Sequence, residues 1–360
     1  SGKTQTALQI AAEIGLPTLW ITHTRDLLTQ AKDRALDNMP GICTGEISEG
    51  CVAVGRDITF ATVQTLVGCV DEESIARDRF GLVIVDECHR VCVSAESVGQ
   101  FQRCINYFSA RYKIGLTATP HRADGLIDGM FRVIGGTIYE LQKDLRSGCF
   151  IGRIGGQEVC RVPVEQFQTP VTVQVIHTGY NIRGRAELFD PDGGTVIYSR
   201  LITSLGEDDT RERITVDLLL EERGHYTLVL SDRVEHLERM REALRRRGER
   251  SAAVLTGKTK KVDRDRFLRQ MRDGDLHYLF SSYKLAKEGL DIPRLDRLVL
   301  ASPNKDEAII VQSLGRIQRP FPGKERGIVY DLVDDVGVLQ GMARKRLRIY
   351  RENGIEAKEK

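Results

Sequence analysis

Residues Ser1-Gly2-Lys3-Thr4 complete the pattern G-x-x-x-x-G-K-[ST] and run straight into a helix-like segment, Thr6 to Ile14. That junction demands a strand, a loop and a helix in succession, because the loop's backbone N–H groups can cradle phosphate only where a helix starts. In such a loop Ser1 and Gly2 lend their backbone, Lys3 reaches the β- and γ-phosphates, and the Thr4 hydroxyl sits on Mg²⁺. The loop's first glycine and its feeding strand are expected upstream of residue 1, so the chain reads as an N-terminally truncated fragment. A lone G-K-T also arises by chance, and the reading needs partners.

The first partner is Leu82-Val83-Ile84-Val85-Asp86-Glu87-Cys88-His89, an apolar run too short and too β-branched for a helix, ending in two carboxylates. It reads as a buried parallel strand that delivers acids to its C-terminal edge. Asp86 there can hold Mg²⁺ through water, and Glu87 can orient and polarise the water that attacks a γ-phosphate. The alternative on this segment alone is an ordinary strand followed by a solvated acidic turn.

Further along, Leu116-Thr117-Ala118-Thr119-Pro120 follows the strand-like stretch Tyr112 to Leu116 and precedes His121-Arg122-Ala123-Asp124-Gly125. Glu288-Gly289-Leu290-Asp291-Ile292-Pro293 comes later, then Gln312-Ser313-Leu314-Gly315-Arg316-Ile317-Gln318-Arg319-Pro320. Arg316 and Arg319 are three residues apart, one helical turn, and are expected on one face. In this order the segments resemble the motif series of superfamily 2 helicases, specifically the DEAD/DEAH-box-like branch that includes phage, DNA-repair and restriction-motor enzymes. The resemblance spans residues 1 to about 335.

That resemblance implies two RecA-like lobes that bind ATP and Mg²⁺, with Lys3, Thr4, Asp86 and Glu87 in the roles already derived from their chemistry. It assigns His89, Thr117 and Thr119 to the motifs linking hydrolysis to lobe movement, and Gly289 and Asp291 to ribose contact and coupling. Gln312, Arg316 and Arg319 match the last motif, whose arginines reach the γ-phosphate across the cleft. An arginine finger is typically worth about 10³ to 10⁵ in turnover. A basic solvated helix face is the competing account of these arginines. Cys88 stands where related proteins carry a small residue, and Phe280-Ser281-Ser282-Tyr283-Lys284 is looser than the usual form of its motif.

The same comparison marks nucleic-acid contacts. Thr22, Arg25 and Gln30 follow the strand Thr18 to Ile21, and Thr62 and Gln64 follow Ile58 to Ala61. In the second lobe Ser231 follows Tyr226 to Leu230, and Thr256 follows Ala252 to Leu255. Hydroxyl, amide and backbone N–H contacts of this type position a protein on a strand without reading bases. A helix cap or a turn explains each segment equally well, and Asp232 with Glu235 has the spacing of a capping box.

Composition fits such a motor. The 360 residues exceed what one core usually holds, and 41% hydrophobic with 29% charged is ordinary for a globular enzyme. No stretch approaches a membrane span, so no membrane partner is expected. The net charge of +2 from 53 basic and 51 acidic residues demands local rather than global positive charge at a strand-gripping groove. All eight cysteines fall at or before Cys160 and match no paired C-x-x-C zinc pattern. Reduced thiols in a cytoplasmic, nucleoid or viral-replication setting are the expectation.

The class expected is therefore α/β, with two RecA-like parallel-sheet lobes and a small β-rich insertion or connector between them. The first lobe is placed at 1–147, lacking its first strand. The connector at 148–205 holds alternating runs such as Val171-Thr172-Val173-Gln174-Val175 and the turn signals Gly155-Gly156 and Pro191-Asp192-Gly193-Gly194. The second lobe is placed at 206–335, and a basic helix and tail at 336–360. In the tail, Arg344, Arg348 and Arg351 share a helical face, as a phosphate track or a solvated surface, and residues 356–360 are expected to fray. The function expected is an ATP-dependent helicase or translocase, on DNA rather than RNA because the segment from Thr117 to Gly125 resembles the DNA-repair and phage branch. The alternatives are a double-strand translocase subunit of a restriction or remodelling complex, and a non-hydrolysing ATP-gated binding module.

Overall fold

The computed structural model describes residues 2–91, 99–117, 127–192 and 194–360, and the chain divides into two compact units, residues 1–140 and 141–360. Ser1 and Thr119 lie outside the described residues.

In the first unit, strands β1 (Thr18–Thr22), β2 (Thr44–Ser48), β3 (Cys51–Ala53), β4 (Ile58–Thr62), β5 (Leu82–Asp86) and β6 (Tyr112–Leu116) form one sheet in the order β3-β2-β4-β1-β5-β6. All pairings are parallel except β2 with β3. The central strands β1, β4 and β5 are buried along their whole length, which is why they read as continuous apolar runs rather than alternating ones. Helices α1 (Lys3–Ile14) and α2 (Arg25–Asn38) cover one face, where Ala7, Leu8, Ala11, Leu28 and Ala31 pack on Trp20, Phe60 and Ile84. Helices α3 (Val63–Asp71), α4 (Gln100–Tyr107) and α5 (Ile127–Ile134) cover the other, around Leu19, Ile21, Val83 and Val85. Successive side chains of one strand thus serve opposite layers.

The division between the units falls within β7 (Tyr139–Asp144), which forms a small sheet with β8 (Cys149–Ile154) and β9 (Gln157–Pro163), in which β8 and β9 run antiparallel. The main sheet of the second unit is seven-stranded and parallel, in the order β12-β13-β11-β14-β15-β10-β16. These strands are β10 (Val171–His177), β11 (Thr227–Leu230), β12 (Ala252–Leu255), β13 (Tyr278–Ser281), β14 (Arg297–Leu300), β15 (Gly327–Val333) and β16 (Glu356–Glu359). Helices α6 (Tyr198–Glu207), α7 (Asp209–Glu221), α8 (Val234–Arg246), α9 (Lys261–Asp273), α10 (Tyr283–Gly289), α11 (Glu307–Ile317) and α12 (Gly337–Glu352) complete it. α7 and α8 bury Val216, Leu219, Leu237 and Met240 on one face of the sheet, and α9 to α12 bury Met271, Ala286, Leu314 and Ile349 on the other.

Two stretches differ from expectation. β10, read as part of a β-rich connector at 148–205, is a strand of the main sheet, paired in parallel with β15 and β16. It lies next to the sheet edge and is only half covered, so it alternates as an antiparallel strand does. The segment after it returns through Tyr180, Leu188, Leu201 and Leu205 to pack on Leu339 and Met342 of α12. The last residues do not fray: β16 pairs with β10, and the Lys360 N–H donates to the Val175 carbonyl. Within α12, Arg344, Arg348 and Arg351 are exposed, whereas Arg346 turns inward, 2% exposed, onto Asp331.

Candidate nucleotide and nucleic-acid site

Parallel strands in the first sheet bring its chemistry to one edge. Register pairs Thr22 with Thr62 at the carboxyl ends of β1 and β4, while β5 on the other side of β1 ends at Asp86. α1 starts directly at Lys3, with Gly2 in the left-handed conformation (φ 66°) and no side chain capping the helix, so its first N–H groups face the loop. Lys3 Nζ lies 3.3 Å from Glu87 Oε1. Glu87 itself has φ 50° and ψ 49°, a conformation that costs a non-glycine residue about 1 kcal/mol or more. Glu49 and Glu73 also adopt positive φ, so this strain is shared with ordinary turns.

His89 Nδ1 is 3.3 Å from Glu87 Oε2 and 3.0 Å from the Thr117 hydroxyl, joining the end of β5 to the residue after β6. Burial, and then the neighbouring Glu87 charge, push the Asp86 carboxyl up to about 6, while its Oδ1 accepts from the Glu87 N–H at 3.0 Å. Cys88 is 3% exposed and burial pushes its thiol up to about 12; it packs where a β-carbon on Gly115 would stand 2.8 Å from its sulfur. The Cys88 position therefore needs a small neighbour on β6. The donors here suit Mg²⁺ bound largely by phosphate and water: a threonine hydroxyl and a buried carboxylate are hard oxygen ligands, few in number. Among the described residues no group of three His, Cys, Asp or Glu is placed to hold a metal.

The expected strand contacts cluster beside this edge, with their side chains partly engaged. Thr22 is buried and donates to the Thr24 carbonyl at 3.0 Å, and Thr24 caps α2. Arg25 pairs with Glu49, and Gln30 is half-buried on α2. The Thr62 hydroxyl donates to that of Thr65 at 3.2 Å, and exposed Gln64 donates to the His23 carbonyl at 2.9 Å, binding the β1 and β4 loops together.

In the second unit Ser231 and Thr256 also stand at carboxyl strand ends. Ser231 is fully buried, 3.0 Å from His236 Nδ1 and accepting from the Arg233 N–H, so its hydroxyl serves the local turn. The capping box expected of Asp232 and Glu235 does not form, because α8 starts one residue later, at Val234, with Arg233 as an uncapped N-terminus. Thr256 accepts from the Lys258 N–H in a similar turn. Gly289 is the last residue of α10, and Asp291 two residues on pairs with Arg319. Arg316 Nη1 donates to the Leu290 carbonyl at 2.9 Å, and Gln312 one turn earlier keeps a buried Oε1 with no hydrogen-bond partner among the described residues. Arg316 and Arg319 do not share a helical face: α11 ends at Ile317, since Pro320 disfavours helical geometry at Arg319. Both nevertheless meet the 290–291 segment.

Sequence reasoning singled out neither Thr169 nor Lys324. Both donate to the Arg319 carbonyl, and no motif carried a signal for them.

A parallel α/β unit with a phosphate-loop lysine facing strand-end carboxylates, followed by a second parallel α/β unit, defines a P-loop nucleotide hydrolase built on two RecA-like sheets. The family model described as "Type III restriction enzyme, res subunit" matches residues 1–122, and "Helicase conserved C-terminal domain" matches residues 210–320. With these two domains in this order the chain belongs to the superfamily 2 helicases, ATP-hydrolysing enzymes. It is 29% identical over 98% of its length, and 70% of the relative's, to "Probable helicase D10" of Escherichia phage T5. It is 24% identical over 89% of its length, and 73% of the relative's, to "DNA 3'-5' translocase XPB2" of Sulfurisphaera tokodaii. Against the structure of S. cerevisiae Dbp5 bound to RNA and ADP BeF3 it has a TM-score of 0.66 at 12% identity, covering all of this chain and 82% of that one. The chain spans 58 to 73% of the length of the D10 and XPB2 relatives and of two viral helicase relatives. No helix among the described residues is long and apolar enough to cross a membrane.

Proposed function

We propose that this chain is the motor of an ATP-dependent translocase or helicase acting on DNA. The observation that carries the reading is the continuous contact from Lys3 through Glu87 and His89 to Thr117, which links the phosphate loop to the strand end beyond it. A DNA substrate is supported by the printed name of the XPB2 relative.

In this reading Ser1, Gly2, Lys3 and the first N–H groups of α1 hold the β- and γ-phosphates. Thr4 and Asp86 hold Mg²⁺, which neutralises phosphate charge when bound. Glu87 orients the attacking water, and His89, Thr117 and Thr119 pass the state of the γ-phosphate on. Gly289 and Asp291 take the ribose side, Gln312 offers its amide, and Arg316 and Arg319 supply the cations that stabilise transition-state charge. Thr22, Arg25, Gln30, Thr62 and Gln64 line the strand-binding edge of the first unit, and Thr256 serves the same purpose in the second, where Ser231 holds its own local turn.

ATP hydrolysis with and without single-stranded DNA tests the motor. Stimulation lost in both Glu87→Gln and Arg319→Ala supports it; DNA binding with no hydrolysis in the full-length protein leaves a non-hydrolysing, ATP-gated binding module instead. A second reading, a double-strand translocase within a restriction or remodelling complex, is favoured by the match to a type I restriction subunit from Escherichia coli, 26% identical over 68% of this chain and 30% of that relative. Triplex displacement without strand separation would establish that reading over the helicase.

A further inference from the structure

Arg319 stands one residue beyond the C-cap of α11, followed by Pro320. The helix ladder no longer holds its backbone, and the proline supplies no N–H to fix the turn. Its main chain is nevertheless held from two other segments. The Lys324 ammonium donates to the Arg319 carbonyl at 2.8 Å and to the Pro293 carbonyl at 3.2 Å. The Thr169 hydroxyl donates to the same Arg319 carbonyl at 3.2 Å, and the Thr169 N–H donates to the Gln318 carbonyl at 2.8 Å. Pro293 is two residues after Asp291, whose carboxylate pairs with the Arg319 guanidinium. One ammonium therefore spans the main chain beside both partners of that ion pair.

We propose that Lys324, assisted by Thr169, is a positioning residue that fixes the Arg319 backbone against the 290–293 segment and so aims the guanidinium for γ-phosphate cleavage. The inference rests on the role given to Arg319 above. A positioning error of about 1 Å in such a group can cost on the order of a hundredfold in rate, so a backbone clamp of this kind has a kinetic consequence.

The fold carries this cation at a cost. Burial, with Arg319 nearby, lowers the Lys324 ammonium to about 8, and Asp296 only partly opposes the shift. A neutral side chain with the same stem relieves the desolvation while losing the clamp. Stability and catalysis should therefore move in different directions, which a merely structural lysine cannot produce.

The test is steady-state ATP hydrolysis with saturating single-stranded DNA by Lys324→Met, Lys324→Arg, Thr169→Val and Arg319→Ala, each with its thermal midpoint. The expected result is a kcat about tenfold lower in Lys324→Met, with KM for ATP within about twofold and a midpoint unchanged or raised. Lys324→Arg restores part of the rate, and Thr169→Val shows a smaller fall. Wild-type kcat in Lys324→Met, or a loss that tracks a lowered midpoint, overturns the proposal while leaving Arg319 in place. Near wild-type kcat in Arg319→Ala overturns the role of Arg319, and the proposal with it.

Discussion

Lys3 Nζ and Glu87 Oε1 stand 3.3 Å apart, so the phosphate-loop cation and the strand-end carboxylate neutralise each other at the carboxyl edge of the first sheet. Both side chains are about one-fifth exposed, at 21% and 23%, which makes the pair competent to open when phosphate arrives. On the proposed reading, ATP would take Lys3 from Glu87 and so release Glu87 to meet water.

Glu87→Gln should accordingly bind a non-hydrolysable ATP analogue about two- to fivefold more tightly, the equivalent of roughly 0.5–1 kcal/mol from a partly exposed pair, while Lys3→Ala should lose binding. Calorimetric titration of both variants decides it. An affinity in Glu87→Gln equal to or below the parent's would show that the pair does not compete with nucleotide.

Gly115 on β6 is set against Cys88: an added β-carbon would lie 2.8 Å from the Cys88 sulfur, 3.0 Å from its β-carbon and 3.1 Å from Ile134 Cδ1. Gly115→Ala should lower stability by about 1–3 kcal/mol through overpacking, and Cys88→Ala should restore only part, because the β-carbon contact stays. Urea unfolding of the single and double variants checks this. A neutral Gly115→Ala would mean that β6 shifts freely there.

Much of this is legible in the sequence. The central strands β1, β4 and β5 are buried on both faces and so announce themselves as short apolar runs, and the parallel order places their trailing residues Thr22, Thr62 and Asp86 on one edge. β10 was misplaced because its partners, β15 and β16, come from residues 327–333 and 356–359, and local alternation cannot reveal a neighbour that distant. Arg346 was hidden in a basic stretch for the same reason: charge patterning shows which residues are basic, while only packing shows that one of them meets Asp331. The placement of Arg319 past α11 was in principle readable from Pro320.

The buried pair Arg346 and Asp331 ties α12 to β15. Arg346 Nη2 donates to Asp331 Oδ1 at 2.6 Å, and the Tyr350 hydroxyl donates to Oδ2 at 2.8 Å. Asp331→Ala strands a buried cation and a phenol, and should cost about 3–5 kcal/mol, whereas Asp331→Leu with Arg346→Met should recover most of it. Chemical denaturation of Asp331→Leu, Arg346→Met and their double variant measures the coupling. Additive single losses would refute it.

His236 gives a stability signature in pH. It is 5% exposed and burial holds its imidazole down at about 3, with Arg211 and Arg239 adding to the effect, so the folded protein keeps it neutral beside Ser231. In the unfolded chain it titrates near 6.5. Above that value neither state binds the proton, and the neutral histidine costs nothing. As pH falls from about 6.5 toward 3 the unfolded state takes up a proton that the folded state refuses, and stability declines by about 1.4 kcal/mol per pH unit for this group. Between pH 6.5 and pH 5 the loss is about 2 kcal/mol. Acidic side chains add their own slopes, so the measurement is a difference: urea unfolding at both pH values for the parent and for His236→Asn, which retains polarity without titrating. The variant should lose about 2 kcal/mol less than the parent across that interval, whatever its starting stability. Equal losses would mean that His236 takes its proton in the folded state, and that the Ser231 turn opens enough to admit water.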